Sequence, residues 1–95
     1  GEGGLKAYNN NVNYAVYILR TSANTFYTGQ TNNLGKRLQQ HKSKTSRSAK
    51  YIRYFKSFKL VYSEIYSSRS AAMRREIELK KLSHTKKEAL INDTN

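Results

Sequence analysis

Tyr17 and Tyr27 sit in two short β-prone runs, Tyr14-Ala15-Val16-Tyr17-Ile18-Leu19 and Phe26-Tyr27-Thr28-Gly29, joined by a polar turn. Arg37 and His41 follow at i,i+4 spacing, which makes them neighbours on one helix face. Lys36 and Arg37 fall in the first turn of that helix, where positive charge opposes the macrodipole. The placement makes sense if a phosphate docks there, because free amides and added cations converge at a helix start.

The acids are few: Glu2, Glu64, Glu76, Glu78, Glu88 and Asp93. A hard divalent cation wants oxygen ligands, so it would have to draw on these. Glu76 alone combines a helix interior with an apolar-side stripe, and a carboxylate there needs a partner. That partner is either a nearby cation such as Arg74 or Lys80, or a functional group. The other candidates have equally plain alternatives. Tyr17 can be a core tyrosine with a wet hydroxyl, Arg37 a solvated helix charge and His41 an ordinary helix-face residue.

Eighteen Lys and Arg face six Asp and Glu, a formal +12, and no acid occurs between Gly3 and Ser63. Such a field attracts polyanions, and nucleic acid is the expected partner. A membrane surface is the lesser alternative, since no helix pairs a basic face with a broad apolar one. No stretch approaches the ~20 apolar residues of a membrane span. With no cysteine, zinc fingers and disulfide frameworks are excluded.

Ninety-five residues make one small domain. Residues 1–12 read as a Gly- and Asn-rich mobile or appended N-terminus, 13–92 as the folded unit and 93–95 as a tail. Residues 13–20 read as a central strand, apolar on both faces. Residues 25–30 make a hairpin with it, ended by Gly29. A helix runs from Leu34, capped at Asn32 or Asn33, with Leu34, Leu38 and His41 inward. A short aromatic and basic segment, 50–55, leads into a third strand. That strand carries Phe58, Leu60, Tyr62 and Tyr66 on one face and Val61 and Ile65 on the other. A second helix, about 69–82, buries Ala72, Met73, Ile77 and Leu79 and wets Arg74, Arg75, Glu78 and Lys81. Thr85-Lys86-Lys87-Glu88 reads as the capping box of a last helix ending near Asn92. The fold class is α/β, a small three-stranded antiparallel sheet flanked by helices in the order β-β-α-β-α-α.

In this order, the two tyrosine motifs, Leu34-Gly35-Lys36-Arg37-Leu38-Gln39-Gln40-His41, Lys59-Leu60-Val61-Tyr62-Ser63-Glu64 and Arg69-Ser70-Ala71-Ala72-Met73-Arg74-Arg75-Glu76 resemble the GIY-YIG nuclease domain. The likeness is to its small stand-alone bacterial members and covers residues 13 to 92. It implies a phosphodiester-hydrolysing DNA endonuclease using one Mg²⁺ or Mn²⁺ ion and no small-molecule cofactor. It implies roles by position. Tyr17 activates or orients water, Tyr27 positions water or phosphate, Arg37 grips the scissile phosphate, His41 assists proton traffic at Tyr17, and Glu76 binds the metal. Duplex, branched or nicked DNA is the implied substrate, with RNA also open, and DNA repair near the cytoplasmic nucleoid the implied setting.

Some positions depart from the family pattern. Ala15 stands for a glycine, Thr28 replaces the middle residue of the second motif, and Gln30 stands where several relatives have lysine. Asn92 is the sole counterpart of a C-terminal asparagine. Lys36, Lys42, Lys44, Arg47, Lys50, Arg53, Lys56 and Lys59 would form the backbone-contacting footprint, with Tyr51 or Tyr54 able to stack on a base. The same footprint suits a noncatalytic nucleic-acid-binding domain, or a basic protein-interaction domain of the translation machinery. Substrate preference, pathway and oligomeric state are not written in the sequence.

Overall fold

The computed structural model describes residues 13–43, 52 and 55–93. The elements run β1 (Tyr14–Thr21), β2 (Phe26–Thr31), α1 (Leu34–Ser43), β3 (Phe58–Tyr66), α2 (Arg69–Lys80) and α3 (His84–Asp93). The sheet is antiparallel in the order β2-β1-β3. β1 is thus the central strand, and its near-continuous burial follows from cover on both faces. The β1–β2 turn relies on Asn24, the one non-glycine residue with positive φ among those described, at 61°.

The alternation along β1 divides the core. Val16 and Ile18 pack with Ala72, Leu79 and Ile91 on the α2/α3 face. Tyr17 and Leu19 pack with Ile52, Leu34, Leu38 and Phe58 on the α1 face. Ile52 is fully buried, although the basic residues around it hide it in the sequence.

Three expectations need correction. β3 does not keep one face throughout: a bulge opposite Ile18/Leu19 shifts the register, so Leu19 faces Leu60 while Ile18 faces Tyr62. Phe58 therefore joins the α1-side core, and Val61, Tyr62 and Tyr66 join the other. Along α2, Ala72 and Leu79 are buried, but Met73 and Ile77 are 44% and 53% exposed. Arg75, expected on the wet side, is half-buried instead, beside Glu76, which is half-buried as its place in the stripe implies. Arg75 turns inward because Glu64 reaches it from β3, with Arg75 Nε to Glu64 Oε1 at 2.9 Å and Nη2 to Oε2 at 3.0 Å. Finally, α3 is capped by Ser83 Oγ accepting from the Lys86 amide, not from Thr85. Glu88 is drawn away to Arg20, taking two hydrogen bonds at 2.8 and 2.5 Å. That pair fastens α3 to the hairpin, with Phe26 stacked on His84 and lying under the Arg20 guanidinium.

Candidate active site

Gly29 explains how the site closes. Tyr17 and Gly29 are register partners on β1 and β2. A Cβ at Gly29 would lie 2.7 Å from the Tyr17 hydroxyl oxygen, 2.8 Å from Cζ and 3.1 Å from Tyr27 Cε2. The glycine is there for close approach, not for a turn, and β2 continues past it to Thr31. With that space open, the Tyr17 phenol lies between the sheet and α1, 1% exposed.

α1 supplies the next groups. Asn33 caps it, its side-chain oxygen accepting from the Lys36 amide at 3.1 Å. One turn on, Arg37 donates from Nη1 to Gln40 Oε1 at 3.0 Å, and its guanidinium acts on the Tyr17 hydroxyl, favouring the phenolate. A further turn on, His41 is fully buried, with Nε2 3.1 Å from that hydroxyl. The Tyr27 ring meets His41 edge-on at 5.6 Å and lies 6.3 Å from the Tyr17 ring.

Burial governs protonation here. It pushes the Tyr17 phenol up to about 12, helped by neighbouring Tyr27 and opposed by Arg37. It pushes the His41 imidazole down to about 4, helped by the Arg37 charge. Both are neutral at pH 7. The Tyr17 hydroxyl and His41 Nε2 share one hydrogen bond, whose donor is set by the imidazole tautomer.

Glu76 belongs to the site by charge rather than by contact. Its carboxylate raises the Tyr17 pKa, while its own ion pair is with Lys80, Nζ to Oε2 at 2.9 Å. Tyr17, Tyr27, Arg37 and His41 are thus brought together, with Glu76 on α2 beside them. No cluster of three His, Cys, Asp or Glu occurs among the described residues. A single 20%-exposed carboxylate fits an ion that keeps most of its water, as Mg²⁺ does, and does not fit a closed multi-ligand cage.

Of the basic footprint, Lys36, Lys42, Lys56 and Lys59 are exposed. Lys44, Arg47, Lys50 and Arg53, with Tyr51 and Tyr54, lie outside the described residues. Asn92 is exposed on α3. Sequence reasoning missed one neighbour of the site, Ile52, which packs against Tyr17. Of the two cations named as possible partners of Glu76, Lys80 is the one that pairs with it, at i,i+4 spacing.

Residues 13–89 match the GIY-YIG catalytic domain, and the chain belongs to that family. Among the relatives it resembles are UPF0213 proteins. That of Natronomonas pharaonis is 44% identical over 78 residues, 82% of this chain and 89% of the relative. That of Syntrophus aciditrophicus is 46% identical over 76 residues, 80% and 86% of the two chains. The solution NMR structure of a UPF0213 protein from Bacillus halodurans has a TM-score of 0.55 at 40% identity, covering 84% and 83% of the two chains. A second NMR structure, of a protein from E. faecalis, has a TM-score of 0.59 at 30% identity, covering 86% and 85%. The three-stranded sheet with its flanking helices is therefore the fold of this group. Membership supports an endonuclease-type function, and no described helix is long and apolar enough to cross a membrane.

Proposed function

We propose that the chain is a divalent-metal-dependent DNA endonuclease that hydrolyses phosphodiester bonds at the Tyr17 cluster. The observation that carries the reading is the buried 3.1 Å contact between the Tyr17 hydroxyl and His41 Nε2, with Arg37 beside it. Arg37 binds a non-bridging oxygen of the scissile phosphate, for which a guanidinium fork is suited. Tyr27 and the Tyr17 hydroxyl orient the attacking water. As the water oxygen bonds to phosphorus, its proton passes to the Tyr17 oxygen and the Tyr17 proton passes to His41 Nε2. The bond from phosphorus to the leaving oxygen breaks, its electron pair stays on that oxygen, and solvent supplies the proton that completes the leaving hydroxyl.

A relay is favoured over a standing phenolate. With a pKa of about 12, ionising Tyr17 at pH 7 would cost about 7 kcal/mol. Glu76 would hold the ion, which when bound supplies positive charge for the developing negative charge on the leaving oxygen. Exposed Lys36, Lys42, Lys56 and Lys59 contact flanking phosphates. The setting we propose is repair of duplex, nicked or branched DNA in the cytoplasm.

One observation favours a second reading, a noncatalytic DNA-binding domain: Glu76 is already neutralised by Lys80. A cleavage panel separates the two. Purified protein is incubated with supercoiled, single-stranded, flapped and branched DNA, with Mg²⁺, Mn²⁺ or EDTA. Metal-dependent products that vanish in Glu76→Ala support the enzyme. DNA binding with no product on any substrate supports the binding domain.

A further inference from the structure

Lys80, the partner of Glu76, also lines a cleft to which the proposed chemistry assigns no ligand. On the outer edge of β2, Phe26, Tyr27, Thr28, Lys80 and Lys87 line a space of about 240 Å³. β2 is an edge strand, so the cleft is open to a ligand. Two lysines give it a positive wall. Thr28, 4% exposed, has a side-chain oxygen with no hydrogen-bond partner among the described residues, an uncommon state for a buried hydroxyl. Tyr27 belongs both to this cleft and to the Tyr17–His41 cluster, so the two spaces are adjacent.

We propose that this cleft is a second phosphate subsite, taking a backbone phosphate next to the cleaved one, and that its occupation draws Lys80 off Glu76. An i,i+4 ion pair whose lysine is 57% exposed is weak and screened by solvent, so exchange is easy. A phosphate bound by Lys80 and Lys87 releases counterions, which drives the exchange in the direction of DNA. Glu76 is then left with a free carboxylate only when DNA is seated. Metal capture becomes linked to substrate, and the DNA-free protein keeps its single acidic ligand masked.

The inference rests on reading Glu76 as the metal-holding carboxylate, but its test needs neither metal nor turnover. Binding of a fluorescein-labelled DNA duplex is measured by anisotropy in EDTA over a salt series. The proteins are the wild type, Glu76→Gln, Lys80→Met and the double variant, each checked for unchanged melting. Glu76→Gln frees Lys80 and is expected to tighten binding about 5-fold, whereas in the Lys80→Met background the gain falls below about 2-fold. Lys80→Met alone is expected to weaken binding and to lower the salt slope by about one. Equal gains in the two backgrounds, or a Lys80→Met protein that binds like wild type, would overturn the subsite. Should these couplings appear while no substrate is ever cleaved, the cleft stands and the catalytic reading falls.

Discussion

Two tyrosine clusters lie on opposite faces of this sheet, and their protons are managed in opposite ways. On the α2 face, Glu64 takes hydrogen bonds from the Tyr62 hydroxyl, from the Tyr66 hydroxyl at 2.6 Å and from both sides of the Arg75 fork. Burial alone would raise the Glu64 pKa, but these donors more than offset it and hold the carboxyl below its usual range. Glu64 and Glu78 push Arg75 upward in turn. Every proton there is fixed by a charged partner. On the α1 face burial wins, and Tyr17 and His41 are held neutral across one hydrogen bond. A charged, saturated network stiffens a fold, whereas a neutral donor–acceptor pair beside a guanidinium can pass a proton. On the proposed reading, this difference is why the chemistry is assigned to the second cluster, and it can be broken by mutation on either side.

The largest expected effect is on catalysis alone. Arg37→Ala should lower single-turnover cleavage by about 10³, as loss of a phosphate-gripping charge does, with little change in melting. Tyr17→Phe should lose about 10²–10⁴ in rate, because the relay has no hydroxyl. It should also cost about 1–3 kcal/mol in denaturant unfolding, since buried His41 Nε2 loses its partner. Gly29→Ala sharpens the point about space. Its Cβ meets Tyr17 at 2.7 Å, so about 1–3 kcal/mol of stability should go together with most of the activity.

The opposite cluster should respond in the opposite sense. Glu64→Gln leaves half-buried Arg75 without its main counter-charge and should cost about 1–3 kcal/mol. Cleavage measured well below its melting point should change less than about 3-fold. Only loss of cleavage at full folding would place Glu64 in the chemistry.

The smallest effect is in pH dependence. His41 titrates near 4 when folded and near 6.5 when unfolded, so between those values the unfolded chain binds the extra proton. Stability should therefore fall as pH drops from about 6.5 to 4, by about 3 kcal/mol in total from this residue. Glu64 and Glu88, both held low, add to the loss at still lower pH as they are protonated. His41 ring signals followed by NMR should titrate near 4. A midpoint near 6.5 would remove burial as the governing influence.

The comparison also explains what the sequence could reveal. Local signals were readable. The doubly apolar run in β1 means a central strand, Asn33 is a helix cap, and β3 spans Phe58–Tyr66, although its bulge breaks the alternation. The Tyr17, Tyr27, Arg37 and His41 constellation was readable from motif order. Features set by partners far along the chain were not. Arg75 turns inward only because Glu64 crosses from β3, which leaves Met73 and Ile77 outside. The β3 bulge is set by pairing with β1, Ile52 is buried by contacts made far away, and Gly29 is small because Tyr17 lies over it. Hydrophobic periodicity carries no record of such pairings.

The most direct measurement sets the two arginines against each other. Single-turnover cleavage of one branched DNA substrate is followed for the wild type, Arg37→Ala and Arg75→Met, well below each protein's melting point. The expected result is a rate lowered about 10³ in Arg37→Ala and nearly unchanged in Arg75→Met, although Arg75→Met melts earlier. Wild-type cleavage surviving in Arg37→Ala, or lost equally in both, would contradict a phosphodiester-cleaving centre at Tyr17 and His41.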